Sequence, residues 1–227
     1  MRYYPIFLDI KGRQSLVIGA GLVALRKIEG LLSAGSKVTV VSPTVAKAVK
    51  GLADKGSITL IKRKYQEGDL KGVFLVISAS NDRAVNASVY NEAKKRGVLI
   101  NAADDPDKCS FIVPSIVDRD PLFFAVSTSG KAPLLAKKMR ERLEEEIGEE
   151  YGKFTELIGK VRNKLLKSNI DRVKKERVIK ALVNSPIPVW IREGSPGKID
   201  AYLKDLLGKG FSLSALGVDL KLGKRQA

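Results

Sequence analysis

The chain has 227 residues, 44% of them hydrophobic, with 41 Lys plus Arg against 25 Asp plus Glu, no His, and a formal net charge of +16. That composition excludes collagen-like, mucin-like and wholly disordered classes. The absence of imidazole excludes Ser-His-acid hydrolysis, HExxH metal sites and Cys2His2 zinc sites, and the lone Cys109 can neither close an intrachain disulfide nor build a metal cluster by itself.

No metal site is expected, and a reducing cytoplasm is the expected compartment. The opening MRYYPIFLDIKG has too short an apolar run for a signal peptide, and no stretch approaches the roughly 20 apolar residues that span a bilayer. The positive charge is spread over both halves with no detached basic tail. No nucleic-acid-reading motif accompanies it, so it fits a small molecule rich in carboxylates or phosphates, or a solvated surface. Neither a nucleic-acid nor a membrane partner is expected.

Residues 14–21, QSLVIGAG, read as a short strand ending in a glycine turn. Val23, Ala24, Ile28, Leu31 and Leu32 then share one face of a helix over 22–35, with Gly35 suited to end it. KVTVVSP at 37–43 is a β-branched strand closed by Pro43. A weaker helix is expected over 44–55, a strand in SITLIKRKY at 57–65, and a central strand in GVFLVISAS at 72–80, apolar on both faces as a covered parallel strand requires. A helix over 83–96 and a strand over 98–104 follow. Five strands alternating with helices predict an α/β fold, a Rossmann-like doubly wound parallel sheet that ends near residue 113.

From 114 the pattern changes. Two short extended segments within 114–130, broken around Asp118 to Pro121, are too small for an independent sheet and are expected to join another sheet or a twin copy. Pro133 is placed to open a helix carrying Leu135, Met139 and Leu143 at four-residue spacing, with Ile147 next. Helices are expected around 153–167 and 171–183, then a rigid break at SPIPVW, 185–190. A last short helix within 195–210 and a frayed end over 217–227 complete the reading.

The glycine turn has chemical content. Gly19-Ala20-Gly21-Leu22-Val23-Ala24 is GxGxxA between a strand and a helix. Gly19 can make the tight turn, Gly21 can let the backbone approach a pyrophosphate, Ala24 permits close helix–sheet packing, and the helix-start amides can hold the anion; a glycine-rich turn that merely packs is the alternative. The acid that usually ends the second strand is missing, and Ser42 and Pro43 stand there instead. Ser42 can hydrogen-bond a ribose and Lys47 can favour a 2′-phosphate, so residue chemistry leaves NAD and NADP both open.

Other strand ends carry small and polar residues. Ser78, Ala79 and Ser80 can border a nicotinamide, or form an ordinary polar turn. Asn101 can fix a ligand amide or cap a turn. Asp104 and Asp105 are adjacent carboxylates, a pair in which one pKa can be raised, and equally an Asx turn before Pro106.

The order of YPIFLDIKGRQSLVIGAGLVALRKIEGLLSAG, VTVVSP, LVISASND and NAADDPDKCSFIVPSIVDRDPLFFAVSTSGKAPLLAKKMRERLE resembles the precorrin-2 dehydrogenase family, the dehydrogenase component of siroheme synthase. The resemblance covers residues 3–146. It implies an NAD-binding domain over 1–113, a dimerisation segment over 114–145, a helical domain over 146–227, and a homodimer. It assigns Gly19, Gly21 and Ala24 to the NAD loop and Asp104 to catalysis, with Asp105 ranked behind it. It favours NAD, because Ser42 matches a strand end where the family binds NAD without the usual acid. Ser127 and Thr128 fall in its substrate and interdomain loop, and some relatives carry a modifiable serine where Thr128 stands.

Arg119, Lys131, Lys137 and Lys138 lie beside that motif and can meet substrate propionates or acetates, or be solvated cations. The implied reaction removes two electrons and two protons from precorrin-2, with hydride passing to NAD and sirohydrochlorin forming. A bifunctional dehydrogenase and ferrochelatase, and a non-enzymatic NAD(H)-sensing module, are the alternatives.

Overall fold

Strands that are apolar on both faces must be covered on both, and the first unit of the chain is built to that requirement. A computed structural model describes residues 3–103 and 105–220. The chain divides into two compact units, Met1–Val113 and Pro114–Ala227.

The first unit runs β1 (Gln14–Ile18), α1 (Leu22–Ser33), β2 (Lys37–Val41), α2 (Lys47–Asp54), β3 (Thr59–Ile61), β4 (Leu75–Ser78), α3 (Arg83–Arg96) and β5 (Leu99–Ala102). The five strands are parallel in the order β3-β2-β1-β4-β5, so the chain reverses direction across the sheet between β1 and β4. Val17, Val40 and Ile77 point to one face and pack with Ala24, Ile28 and Leu31 of α1 and Val49 of α2. Leu16, Ile18, Val41, Val76 and Ile100 point to the other and pack with Val89 and Ala93 of α3 and with Leu70. Each such large side chain contributes about 1.5–3 kcal/mol by leaving water.

The helix ends explain the element boundaries. Asp82 caps α3, accepting hydrogen bonds from the Ala84 and Val85 amides at 2.9 and 3.3 Å, and Gly97 ends the helix in the left-handed region. β3 is shorter than expected, because Arg63 turns into a two-pronged pair with Asp69 at 2.8 and 2.7 Å instead of continuing the strand. The link to β4 is then fastened to α3. The Tyr65 hydroxyl donates to buried Glu92, which also accepts from the Gly68 amide and pairs with Arg96. Burial and Glu92 together raise the Tyr65 pKa. Burial alone would raise the Glu92 carboxyl, yet its three donors outweigh that and hold it below the ordinary range.

β5 lies at the sheet edge, where side chains take the place of a sixth strand. Ser110 Oγ accepts from the Ile100 amide at 2.8 Å and donates to the Ile100 carbonyl at 3.2 Å. Cys109 Sγ lies 3.2 Å from both the amide and the carbonyl of Ala102. The 3-10 turn Pro106–Lys108 is thereby held beside the strand that precedes it.

The second unit opens with an antiparallel hairpin, β6 (Ser115–Arg119) and β7 (Leu122–Val126), followed, among the described residues, by six helices. These are α4 (Pro133–Glu146), α5 (Glu150–Leu166), α6 (Arg172–Val183), α7 (Ile187–Arg192), α8 (Pro196–Leu207) and α9 (Leu213–Leu216). Phe154, Leu157, Val161 and Leu165 make α5 the centre of the core, against Leu182, Ile187 and Leu203 of the surrounding helices. Gly152 has no room for a side chain. A Cβ there would stand 3.0 Å from the Arg119 carbonyl carbon and closer still to its oxygen, which lets the hairpin turn press on α5.

One expectation needs correction here, and a second gains detail. The break expected at 185–190 is the start of α7, because Pro186 and Pro188 occupy cap and first-turn positions whose amides no helix needs. The Leu135, Met139 and Leu143 spacing does make a helix, but Leu135 and Met139 are exposed and Ala136 is the residue that α4 buries. The expected fraying over 217–227 falls largely outside the described residues.

Candidate functional site

Parallel strands deliver all their following loops to one edge of the sheet, and ligands of open α/β sheets bind at that edge where the strand order reverses. Here the loops after β1, β2 and β4 are bolted to one another. The Gly19 amide donates to the Val41 carbonyl at 2.9 Å, the Ala46 amide to the Ala20 carbonyl at 3.0 Å, and the Ala79 amide to the Ile18 carbonyl at 2.8 Å. Gly19 has φ +103°, and a Cβ on it would lie 2.9 Å from the Ala79 carbonyl carbon and closer to its oxygen. Only glycine allows the first and third loops to meet this closely.

Gly21 differs from Gly19. It is the N-cap of α1 in extended conformation, and a Cβ there would meet nothing within 4 Å. Glycine brings no capping side chain, and α1 has no acid in its first turn. Leu22 and Val23 are 75% and 46% exposed, whereas Ala24 is fully buried against the sheet. An open helix start with no capping side chain and no acid in its own first turn fits a dinucleotide pyrophosphate.

The neighbouring polar residues divide into those turned inward and those at the edge. The Ser42 hydroxyl is buried and donates to the Thr44 carbonyl at 2.6 Å, leaving its oxygen as an acceptor; Pro43 and Lys47 are exposed beside it. Ser78 is fully buried, and its hydroxyl donates to Asn86 Oδ1 at 2.7 Å, so it braces the strand end from behind. Ala79 and Ser80 remain at the edge, where Ser80 Oγ accepts from the Asp82 amide. Asn101 also turns inward, donating to the Phe111 carbonyl at 3.0 Å and toward Cys109 Sγ. For Ser78 and Asn101 side chains, direct contact with a nicotinamide gives way to bracing.

Asp104 lies outside the described residues. Asp105 pairs with Lys108 Nζ at 2.7 Å, and that hydrogen bond holds its carboxyl below the usual carboxylate range rather than above it. Lys27 of α1, which the sequence did not single out, is half-buried. Burial lowers its ammonium pKa, Arg26 adds to this, and Cys109 opposes it. Among the described residues no cluster of three or more His, Cys, Asp or Glu is placed to hold a metal ion.

In the second unit, Arg119 is 5% exposed and has a different task from the substrate contact expected of it. Its guanidinium donates to the carbonyls of Ile147, Asp118 and Glu144 at 2.7, 2.9 and 3.1 Å, with Glu149 at 3.5 Å, and so ties the hairpin to the end of α4. Ser127 Oγ accepts from the Ser129 amide and Thr128 Oγ1 from the Ala132 amide, both at 3.0 Å, shaping the loop that enters α4. Lys131 is exposed on that loop.

Comparison with known proteins decides the family. A family model described as NAD(P)-binding matches residues 6–115, and one described as sirohaem biosynthesis protein central matches 119–146. A solved precorrin-2 dehydrogenase, SirC, is 31% identical and superposes with a TM-score of 0.75, covering 90% of this chain and 98% of that one. The chain belongs to the precorrin-2 dehydrogenase family.

Longer relatives carry the same region. A siroheme synthase of Nitrosococcus oceani is 39% identical over 93% of this chain and 45% of its own length. One of Pseudomonas paraeruginosa is 37% identical over 96% of this chain and 47% of its own. The chain thus spans about half the length of the curated relatives it matches. Sequence reasoning found the glycine loop through its spacing. It missed Asn86, whose only signal is its place four residues after the Asp82 cap, and the Cys109–Ser110 clasp, which has no periodicity to announce it.

Proposed function

We propose that the chain oxidises precorrin-2 to sirohydrochlorin with NAD, as a cytoplasmic homodimer. The observation that carries this reading is the open glycine start of α1 in a fold that is similar to a precorrin-2 dehydrogenase over 90% of the chain. NAD supplies a hydride acceptor when bound.

In this reading Gly19, Ala20 and Gly21 with the amides of Leu22, Val23 and Ala24 hold the pyrophosphate. Ser42 and Pro43 border the adenosine ribose, and Ala79 and Ser80 border the nicotinamide end. Ser78 and Asn101 act by bracing those edges. The macrocycle loses two electrons and two protons as one hydride and one proton, and Asp104 is the carboxylate that takes the proton or orients the reacting ring. Asp105, tied to Lys108, serves beside it without needing a raised pKa.

The substrate carries eight carboxylates, which suits a chain of net charge +16. Ser127, Thr128 and Lys131 are the contacts proposed for it in the second unit, with Arg119 as the bracket that fixes their hairpin. The homodimer reading rests on the apolar surface of that unit. Ile116 and Phe123 on the outer face of the hairpin and Leu134, Leu135 and Met139 on α4 are all exposed, apolar side chains that a second copy would cover.

The test is an anaerobic incubation of precorrin-2 with NAD or NADP, with Fe2+ added after oxidation is complete. Sirohydrochlorin forming faster with NAD supports the reading. Dinucleotide binding without turnover would support a sensor instead, and rapid iron insertion in the second stage would make the chain bifunctional.

A further inference from the structure

The loop after β4 borders the glycine turn, and bonds from outside the loop fix its backbone. Its backbone from Ala79 to Ser80 is gripped at two points, by the Ala79 amide bonded to β1 and by Asn86 of α3, whose Nδ2 donates to the Ser80 carbonyl at 2.9 Å. The other end of the same amide accepts from buried Ser78 at 2.7 Å. One half-buried side chain thus spans the last residue of the strand and the second residue of the loop. The Asn86 backbone is fixed independently, its amide donating to the Asp82 carbonyl at 3.1 Å in the capped first turn of α3.

The glycine turn on the other side cannot follow a moving partner. Gly19 is tied to Val41, and it approaches the Ala79 carbonyl more closely than any side chain would permit. A shift of the Ala79–Ser80 backbone therefore changes the spacing between these two loops directly. The first loop ends in the open helix start that fits a pyrophosphate, so that spacing sets the path of a bound dinucleotide away from its phosphates.

We infer that Asn86 is a positioning residue of the dinucleotide site, holding the Ala79–Ser80 edge at the distance from Gly19 that the cofactor requires. The inference rests on the dinucleotide reading of this site. Asn86 acts through the Ser80 carbonyl and is not a contact to the cofactor. Ser78 has the lesser part, because losing its hydroxyl leaves the bond to Ser80 in place.

The test is calorimetric titration of the intact chain with NAD+ and with NADP+, paired with thermal unfolding, for Asn86→Ala, Asn86→Asp and Ser78→Ala. Asn86→Asp is close to isosteric and keeps an acceptor for Ser78, but it sets a carboxylate against the Ser80 carbonyl. The expected result is dinucleotide affinity weakened at least about tenfold in Asn86→Asp, and in Asn86→Ala where it folds, because small misplacements at a binding edge cost affinity steeply. Ser78→Ala should weaken affinity less than Asn86→Asp does, because it leaves the Asn86 bond to the Ser80 carbonyl in place. A folded Asn86→Asp that binds within about twofold of the parent chain overturns the inference alone, as does a Ser78→Ala loss equal to that of Asn86→Asp. A parent chain that binds neither dinucleotide overturns the dinucleotide reading and the inference with it.

Discussion

The two units solve the burial problem differently. The sheet of the first unit is covered on both faces, and its polar side chains are satisfied by short-range partners such as Glu92 with Tyr65, or Asn101 with Phe111. The second unit buries one face of its hairpin and leaves Ile116 and Phe123 on the other, while α4 presents Leu134 at 83% exposure. A sheet covered on both faces can form its ligand edge within one unit. The proposed homodimer would cover the exposed apolar residues of the second unit, so cofactor binding should depend on local geometry and assembly on surface chemistry.

That contrast can be broken most forcefully at the glycines. Gly19→Val forces a β-branched residue into φ +103° and its Cβ onto the Ala79 carbonyl, so the first unit should lose about 3 kcal/mol of stability along with its cofactor. Hydrogen exchange followed residue by residue should show the loss in residues 3–113 only. Gly21→Asp meets open space and keeps φ negative. It should retain the parent unfolding midpoint yet lower NAD affinity about a hundredfold, because a fixed negative charge then occupies the anion seat.

The second unit should answer to different changes. Arg119→Met keeps much of the side-chain volume but strips three carbonyls of their donor, and should cost about 3 kcal/mol, measured by denaturant unfolding. Phe123→Glu with Leu135→Glu changes two exposed side chains. Sedimentation should report conversion of dimer to monomer at micromolar concentration, with NAD affinity changed less than about threefold.

The smallest expected effect is a pH dependence confined to the first unit. The hydrogen bond from Arg63 lowers the Asp69 pKa from its ordinary 3.8, and the donors around Glu92 lower its pKa from 4.5. Both carboxylates are more acidic in the folded chain than in the unfolded one. Their contribution is therefore complete above those ordinary values and is lost as pH falls through the folded ones. Asp69→Asn should flatten this part of the acid unfolding curve and leave exchange in the second unit unaltered.

The difference between the units also decided how much could be read from sequence. Strands with apolar runs such as LVIS and helices closed by Gly35 or Gly97 announce themselves because local pattern and tertiary burial agree there. α7 was misread because proline acts as a breaker in a helix interior but as a starter in the first turn, and sequence alone does not set the register. α9, only four residues long, is too short for periodicity to register.

At the candidate site, GxGxxA was legible as a spacing, yet the different demands on Gly19 and Gly21 depend on Ala79, a residue 60 positions away. The pairing of Asp105 with Lys108 lay in plain view at three-residue spacing, but whether a carboxyl there is raised or lowered depends on which neighbour reaches it first. Arg119 shows the same limit. Its charge suggested a ligand, while its burial follows from the end of α4, whose carbonyls are 25 and 28 residues distant in sequence.

The central claim is that the open start of α1 couples a bound NAD to oxidation of the macrocycle. The most direct measurement is a sealed anaerobic single turnover with precorrin-2, counting NADH against sirohydrochlorin for the parent chain and for Gly21→Asp. The account predicts one NADH for each sirohydrochlorin in the parent chain and neither product above the uncatalysed rate in Gly21→Asp. Sirohydrochlorin formed without NAD, or formed at the parent rate by a folded Gly21→Asp, would contradict it.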